Sequence, residues 1–225
     1  MTKPKGRHEL KHYINYGDVL QLRARLPFVA KLDNNCEKEK GYRVRSLYFD
    51  NYNDKALKEK IDGVNGREKF RLRYYKDNLS FIRLEKKSKR NGICFKESTI
   101  VTDEQCRRLI DGDLTALKEN NSPLCMELYT KMYYQQLRAR NIVDYWREAY
   151  VYPAGNVRIT MDYDIRTGYN VHDFLTPVPA PVPISGIFIL EVKYDDFLPE
   201  IIRGVTALSG RRGTAFSKYA AARII

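Results

Sequence analysis

Several large protein classes are excluded by what this sequence lacks. No stretch approaches the roughly 18 consecutive apolar residues of a membrane-spanning helix. The opening residues, MTKPKGRHELKHYI, are basic but have no apolar core or small-residue cleavage site of a secretory leader. Cys36, Cys94, Cys106 and Cys125 stand far apart without a C-x-x-C pair, which argues against zinc or disulfide frameworks and for reduced thiols in the cytoplasm. His8, His12 and His172 show no metal-ligand spacing, and there is no G-x-x-x-x-G-K-[ST] phosphate loop. Acidic residues are in deficit, 28 Asp and Glu against 40 Lys and Arg, a net charge of +12. That imbalance calls for an anionic partner: nucleic acid, anionic lipid or a small polyanion.

What is present is positive charge written into a β pattern. The stretch from Arg67 to Val101 holds eleven Lys and Arg against four Asp and Glu. Turn signals at Lys76-Asp77-Asn78 and Arg90-Asn91-Gly92 divide it into three β-type runs, which predicts two consecutive hairpins. Alternate side chains of a strand face opposite ways, so Lys69, Arg71 and Arg73 share one face while Phe70, Leu72 and Tyr74 share the other. The same parity groups Arg83, Glu85, Lys87 and Lys89 against Ile82 and Leu84, and Lys96 with Ser98. Stacking like charges across strands costs stability unless an anion or water separates them. Taken alone, this window also reads as an ordinary solvated outer face.

The pattern recurs along the chain. Residues 7–14, RHELKHYI, predict a strand with Arg7, Glu9, Lys11 and Tyr13 on one side and His8 and His12 on the other. Apolar spacing predicts a helix over 15–32, bent near Pro27. A second strand follows over 42–50, then a short helix ending at Gly63. Beyond the hairpins, Thr102 caps one helix, and Ser122-Pro123 opens a five-turn helix running through LCMELYTKMYYQQLRAR. Strands are expected over 142–152 and 157–163, the second setting Arg158, Thr160 and Asp162 on one face. The prolines of TPVPAPVPIS, residues 176–185, predict a stiff surface loop, a docking ligand for an aromatic groove being the other reading. GIFILEVKYD, residues 186–195, puts Glu191 and Lys193 opposite Leu190 and Val192. Tyr48 and Tyr74 fall among core-type residues. A helix over 197–208 and a last helix capped by Thr214 complete the chain.

At least eight strands with one charged and one aliphatic face predict an α+β fold: a closed antiparallel β-barrel with a polar lumen, helices packed outside, and one domain over residues 1–225. Bases crowded into such a lumen require a polyanion. Phosphate chains fit, with glutamates able to hold a bridging divalent cation.

In order, RHELKHYI, YRVRSLYFDN, REKFRLRYY, FIRLEKKSKRNGICFKE, VRITMDYDIR, ILEVKYDDFLP and FSKY resemble the VTC domain over nearly the whole chain. That domain is the polyphosphate polymerase module of the vacuolar transporter chaperone family and belongs to the triphosphate tunnel metalloenzymes. The resemblance implies a barrel around a basic tunnel and transfer of the ATP γ-phosphate to a growing polyphosphate chain, with Mn2+ or Mg2+. It implies catalytic roles for Arg71, Arg73, Lys87, Arg158 and Glu191, and phosphate binding by Lys11, Arg71, Arg73, Lys87, Lys96, Arg158, Ser217 and Lys218. Glu191 becomes the metal carboxylate, while Glu9 and Glu85 are either further ligands or ion-pair partners of neighbouring bases. The implied ligands are ATP, pyrophosphate, triphosphate and polyphosphate, with no nucleic acid. The regulatory phosphate-sensing domain and the transmembrane segments of the eukaryotic proteins have no counterpart in the sequence, so any membrane partner is expected from another chain.

Two rivals stay open at this point. A triphosphatase on the same fold would use water as acceptor. A non-catalytic nucleic-acid-binding module is allowed by the charge and the 17 tyrosines, although the bases alternate with aliphatic residues and not with exposed aromatics.

Overall fold

A computed structural model describes residues 6–37 and 40–224. The chain begins with strand β1 (His8–Ile14), helix α1 (Tyr16–Arg25), the short β2 (Lys31–Leu32), β3 (Tyr42–Asp50) and α2 (Lys55–Ile61). The basic hairpins follow as β4 (Arg67–Tyr75), β5 (Ile82–Arg90) and β6 (Ile93–Val101), then helices α3 (Asp103–Ile110), α4 (Thr115–Lys118) and α5 (Pro123–Tyr134). Two long strands, β7 (Arg138–Tyr152) and β8 (Val157–Gly168), lead to the short β9 (Val182–Pro183), β10 (Phe188–Tyr194), α6 (Glu200–Thr206) and α7 (Lys218–Ile224). Among the described residues no helix is long and apolar enough to cross a membrane.

One antiparallel sheet carries all the strands, in the order β1-β10-β8-β7-β3-β4-β5-β6, with β2 on β7 and β9 on β8. It curls into a half-barrel. Sequence parity predicted closure, and the sheet stays open between β6 and β1. Among the described residues the backbones of those two edges pair at a single bridge, between Arg7 and Cys94, which exchange hydrogen bonds of 2.9 and 3.1 Å. The reason lies at the C-terminus. The segment before α7 occupies the rest of the β1 edge: His12 bridges Gly213, and the Thr214 N–H donates to the Lys11 carbonyl at 2.8 Å. An edge already hydrogen-bonded to a loop cannot also build a ladder. Thr214 is therefore an edge residue and not an N-cap, and the last helix starts later, at Lys218.

Period-two alternation sorts the side chains as expected. Phe70, Leu72, Tyr74, Ile82 and Leu84 point to the convex face, under α3 and α5, in a core that also takes Leu109, Leu117 and Leu128. A second convex core lies under α1 and α6 and includes Val19, Leu22, Ile159, Val192 and Ile202. Leu72 is fully buried, so truncating it to alanine costs about 2–5 kcal/mol. The third core is different, because α7 packs its Tyr219 and Ala222 onto the concave side of β3 and β7.

Local departures from the expected elements have local causes. α1 ends at Arg25, and Pro27 sits in a 3-10 turn over Leu26–Phe28, since a proline cannot continue the hydrogen-bond ladder. α5 stops at Tyr134. Gln136 takes a left-handed φ of 57°, and the arginines read as its fifth turn, Arg138 and Arg140, begin β7 instead. β8 runs past Tyr163 to Gly168 through Asp164, whose φ is 46°. That irregularity lets Ile165 and Thr167, rather than Asp164 and Arg166, continue the buried face. The proline-rich segment is held as a strap. The guanidinium of Arg45, paired to Asp144 by two 2.7 Å bonds, also donates to the carbonyls of Thr176 and Val178, and Arg166 donates to those of Ala180 and Pro181. Its backbone acceptors are thus used inside the fold.

Candidate active site on the concave face

Every long strand near the centre of the sheet sends polar side chains to the concave side, and they bound two cavities. The larger, about 580 Å³, is lined by Arg71, Arg73, Arg83, Lys96, Arg147 and Arg158 among others. The smaller, about 100 Å³, takes its positive charge mainly from lysines, including Lys11, Lys60, Lys69 and Lys89, with Ser217 beside them. Glu9, Lys87 and Cys94 border both. The Lys87 ammonium donates to both oxygens of Glu9, at 2.6 and 2.7 Å, so this ion pair stands where the cavities meet.

In the larger cavity the bases are held by carboxylates and hydroxyls. Arg71 donates to Glu85 at 2.8 Å and to the Tyr48 hydroxyl at 3.0 Å. Arg73 donates to the Ser46 hydroxyl at 2.8 Å and faces Glu85 at 4.0 Å, while Lys96 reaches Glu85 at 2.5 Å. Ser46 and Tyr48 lie directly opposite Arg73 and Arg71 across the β3–β4 ladder. Burial alone would raise the carboxyl of Glu85, and the three bases overcome it and hold it well below the ordinary range. Burial would likewise raise the Tyr48 phenol, yet Arg71, Lys69 and Arg73 draw it down to about 7.

Deeper in the concavity a chain of ion pairs crosses the sheet. Glu191 faces Lys193 at 3.1 Å, Lys11 at 3.2 Å and Arg147 at 3.9 Å. Arg147 donates to both oxygens of Asp162, at 2.7 and 2.8 Å, and Lys218 donates to Asp162 at 2.5 Å with its ammonium 4.6 Å over the Tyr145 ring. Burial lowers Lys193 to about 8 despite Glu191. Asp162, with Arg147 and Lys218 outweighing its burial, falls to about 2.

The sequence-derived candidates are distributed unevenly over this geometry. Arg71, Arg73, Lys87 and Lys96 line the larger cavity; Lys11, Lys87 and Ser217 line the smaller; Glu191 and Lys218 sit in the ion-pair chain behind them. Arg158 borders the larger cavity from its side, bonded to Asp33 at 2.5 Å and to the Tyr42 hydroxyl at 3.1 Å, away from Glu191. Tyr48 is buried, as a core-type residue should be, but on the concave side with its hydroxyl on Arg71. Arg147, Tyr145 and Lys69 were not among the candidates. Arg147 and Tyr145 share a face of β7 that alternation would have paired, had the apolar run IVDYWREAYVY been split by parity.

Whether a divalent cation fits can be judged from the donors. No three His, Cys, Asp or Glu side chains converge as a preformed metal cage among the described residues. Hard oxygen donors are nonetheless close: Glu191 lies within electrostatic reach of both Glu9 and Asp162. Such a set suits Mg2+ or Mn2+ bound through one or two carboxylates and completed by water and substrate phosphates. All three inward glutamates are ion-paired, Glu191 to Lys193, Lys11 and Arg147 and Glu9 to Lys87 and Lys11, so a cation would have to take Glu191 and Glu9 in exchange for these bases. Glu85 is paired in the same way to Arg71, Arg73 and Lys96.

A family model described as the VTC domain matches residues 6–224. No curated protein matches. Among solved structures, a provisionally assigned adenylate cyclase of Bacillus halodurans aligns with a TM-score of 0.50 at 12% identity, covering 91% of this chain and 87% of that one. The PH1012 protein of Pyrococcus horikoshii aligns with a TM-score of 0.46 at 14% identity, covering 89% of this chain and 85% of that one. The first of these likenesses bears on the fold: a similar curled antiparallel sheet with surrounding helices.

Proposed function

This chain belongs to the VTC domain family, and from that premise we propose that it is a polyphosphate polymerase, moving the γ-phosphate of ATP onto a polyphosphate chain within the concave face. The observation that carries the reading is the pair of basic cavities joined at Lys87 and Glu9. A hydrolase needs room for one anion and a water; two base-lined spaces that share a lysine suit a donor and an acceptor that are both phosphate chains.

The phosphates of the donor lie along Arg73, Arg71 and Lys87, and the acceptor chain enters past Lys69, Lys11 and Ser217. A terminal oxygen of the acceptor attacks the γ-phosphorus in line, and the bond from that phosphorus to the β-phosphate bridging oxygen breaks, releasing ADP into the larger cavity. No protein nucleophile is required. The arginines align the reactants and offset charge as it shifts to the leaving oxygen. Lys87 exchanges Glu9 for the transferring phosphoryl group, and Lys11 exchanges Glu191 for the acceptor. Glu191, with Glu9 beside it, would hold a divalent cation, which would supply further neutralisation of phosphate oxygens. ATP, pyrophosphate or triphosphate and polyphosphate are the ligands in this reading. The site is cytoplasmic in this reading.

Incubation with ATP and Mn2+, followed by sizing of the polyphosphate formed, tests the proposal. Chains that lengthen with time are the expected result. Release of phosphate alone, with no chain growth, would replace it by the triphosphatase reading on the same site.

A further inference from the structure

One base in the larger cavity differs from its neighbours. Arg83, the first inward residue of β5, has no carboxylate and no hydrogen-bond acceptor among the described residues, and its Nε is shielded from solvent without a partner. Every arginine around it is engaged: Arg71 and Arg73 with Glu85, Arg147 with Asp162, Arg158 with Asp33. The guanidinium carbon of Arg83 instead lies 4.6 Å from the centre of the Phe81 ring. An arginine stacked on one ring presents its opposite face for a second π-system.

The turn that carries Phe81 is fixed in advance. Asn78 caps the 3-10 turn Leu79–Phe81 by accepting the Ser80 N–H at 3.0 Å, Leu79 is packed against the convex core, and Phe81 keeps 37% of its surface exposed. The ligand-facing order along the two strands also has a direction. On β4 it runs Tyr75, Arg73, Arg71, Lys69, and on β5 Arg83, Glu85, Lys87, Lys89, from the larger cavity to the smaller. At a rise of about 3.3 Å per residue, Arg83 stands roughly 13 Å from Lys87, a span suited to a triphosphate laid between them. Aromatic and amide side chains, Tyr75, Phe81 and Asn78, collect at the Arg83 end, and lysines at the other. Only the larger cavity, about 580 Å³, has the volume of a small-molecule pocket; the smaller, about 100 Å³, is too tight for a nucleoside.

We propose that the mouth of the larger cavity is a nucleoside subsite, in which Arg83, backed by Phe81, stacks on the base of the nucleotide whose phosphates lie along Arg73, Arg71 and Lys87. This rests on the polymerase reading for its donor, and it adds which end of the concavity the donor enters and what holds its base. Stacking of this kind tolerates any base, so ATP and GTP analogues bind alike, and inorganic triphosphate gains nothing from the plane of Arg83.

The test compares two ligands on the intact chain by calorimetry: a β,γ-imido ATP analogue and inorganic triphosphate. Arg83→Lys, which keeps the charge and loses the plane, weakens the analogue by about tenfold and leaves triphosphate unchanged, and Arg83→Ala weakens the analogue more than it weakens triphosphate. Phe81→Ala weakens the analogue in the same selective way. Equal losses for both ligands, or rescue by Arg83→Lys, make Arg83 a phosphate contact and overturn the subsite. No loss for either ligand overturns it too. A parent chain that binds triphosphate but not the nucleotide analogue sinks the subsite while leaving a triphosphate-binding site standing, whereas a parent that binds neither sinks the polymerase reading with it.

Discussion

Leaving aside Arg83 in the larger cavity, which is unpaired, and Lys11 and Lys87 in the smaller, which are paired to Glu191 and Glu9, the two cavities settle their positive charge differently. In the larger one Arg71, Arg73 and Lys96 converge on a single buried glutamate, and Ser46 and Tyr48 fix the two arginines from the neighbouring strand. In the smaller one Lys69 has only the Ser217 hydroxyl at 3.3 Å and the Tyr48 ring at 5.6 Å, and Lys60 and Lys89 have no carboxylate within ion-pair distance among the described residues. Burial and the charges of Lys87, Lys11 and Arg71 bring Lys69 down to about 7 although Tyr48 opposes them. The difference agrees with the roles proposed for the two spaces. Bases tied to carboxylates keep their geometry without ligand, which suits a donor that must be aligned for in-line attack. Bases left without counter-charge are costly until an anion arrives and hold no fixed pose, which suits a chain that shifts by one phosphate per turnover.

Substitutions can break this contrast, and the largest effect belongs to the aligned side. Arg71→Ala is expected to lower turnover on the order of 10³-fold with little change in melting temperature, because Glu85 keeps Arg73 and Lys96. Steady-state kinetics beside a thermal melt check it; a variant that unfolds early yet retains full activity per folded molecule would make Arg71 a structural residue.

Glu191→Gln comes next. It removes the charge a hard cation requires and leaves Lys11, Lys193 and Arg147 free for phosphate. Manganese-dependent turnover should fall by about 10²-fold or more, with triphosphate binding in the absence of metal retained or tighter. Wild-type manganese titration curves in this variant would shift the metal assignment to Glu9.

Lys69 sharpens the other side of the contrast. Its folded-state value of about 7 lies below that of an unfolded lysine, so above about pH 7 the unfolded chain binds more protons. The ligand-free protein therefore gains stability as pH rises from about 7 to 9, and Lys69→Met removes its share of that rise and leaves those of Tyr48 and Lys193, whose values are also depressed. A bound polyphosphate needs the ammonium, so its stabilising effect runs the other way and weakens over the same window. Melting temperatures with and without triphosphate, across pH, decide it: parallel curves for parent and variant would mean that Lys69 does not titrate there.

The smallest expected effect is at Tyr48. Phenylalanine keeps the ring under Lys69 and removes the acceptor that orients Arg71. Triphosphate affinity should fall by about threefold to tenfold, the worth of one ordinary hydrogen bond. Unchanged affinity would leave Glu85 alone to position Arg71.

Much of this was legible from the residues. Side-chain period two is a property of the extended backbone itself, so Lys69, Arg71 and Arg73 had to separate from Phe70, Leu72 and Tyr74, and the turn residues at 76–78 and 90–92 had to fold the stretch back on itself. The convex cores followed from the same alternation. The site was less legible where a side chain's role depends on a distant strand. Arg158 was put on the correct face of β8, but its charge is answered by Asp33, while Arg147 on β7 reaches Glu191. Lys218 enters the ion-pair chain because α7 packs onto the concave side, and no local pattern reports that.

Alternation, turn chemistry and charge thus determined by themselves which residues could form a basic face, because those depend on neighbours within a few positions in the chain. Tertiary structure alone decided which base meets which carboxylate, where the left-handed Asp164 re-aims the buried face of β8, and that the C-terminal segment takes the edge of β1 and leaves the barrel open. Ion pairing and edge pairing are contests between groups far apart in sequence, and their outcome is fixed by distances that exist only once the sheet has curled.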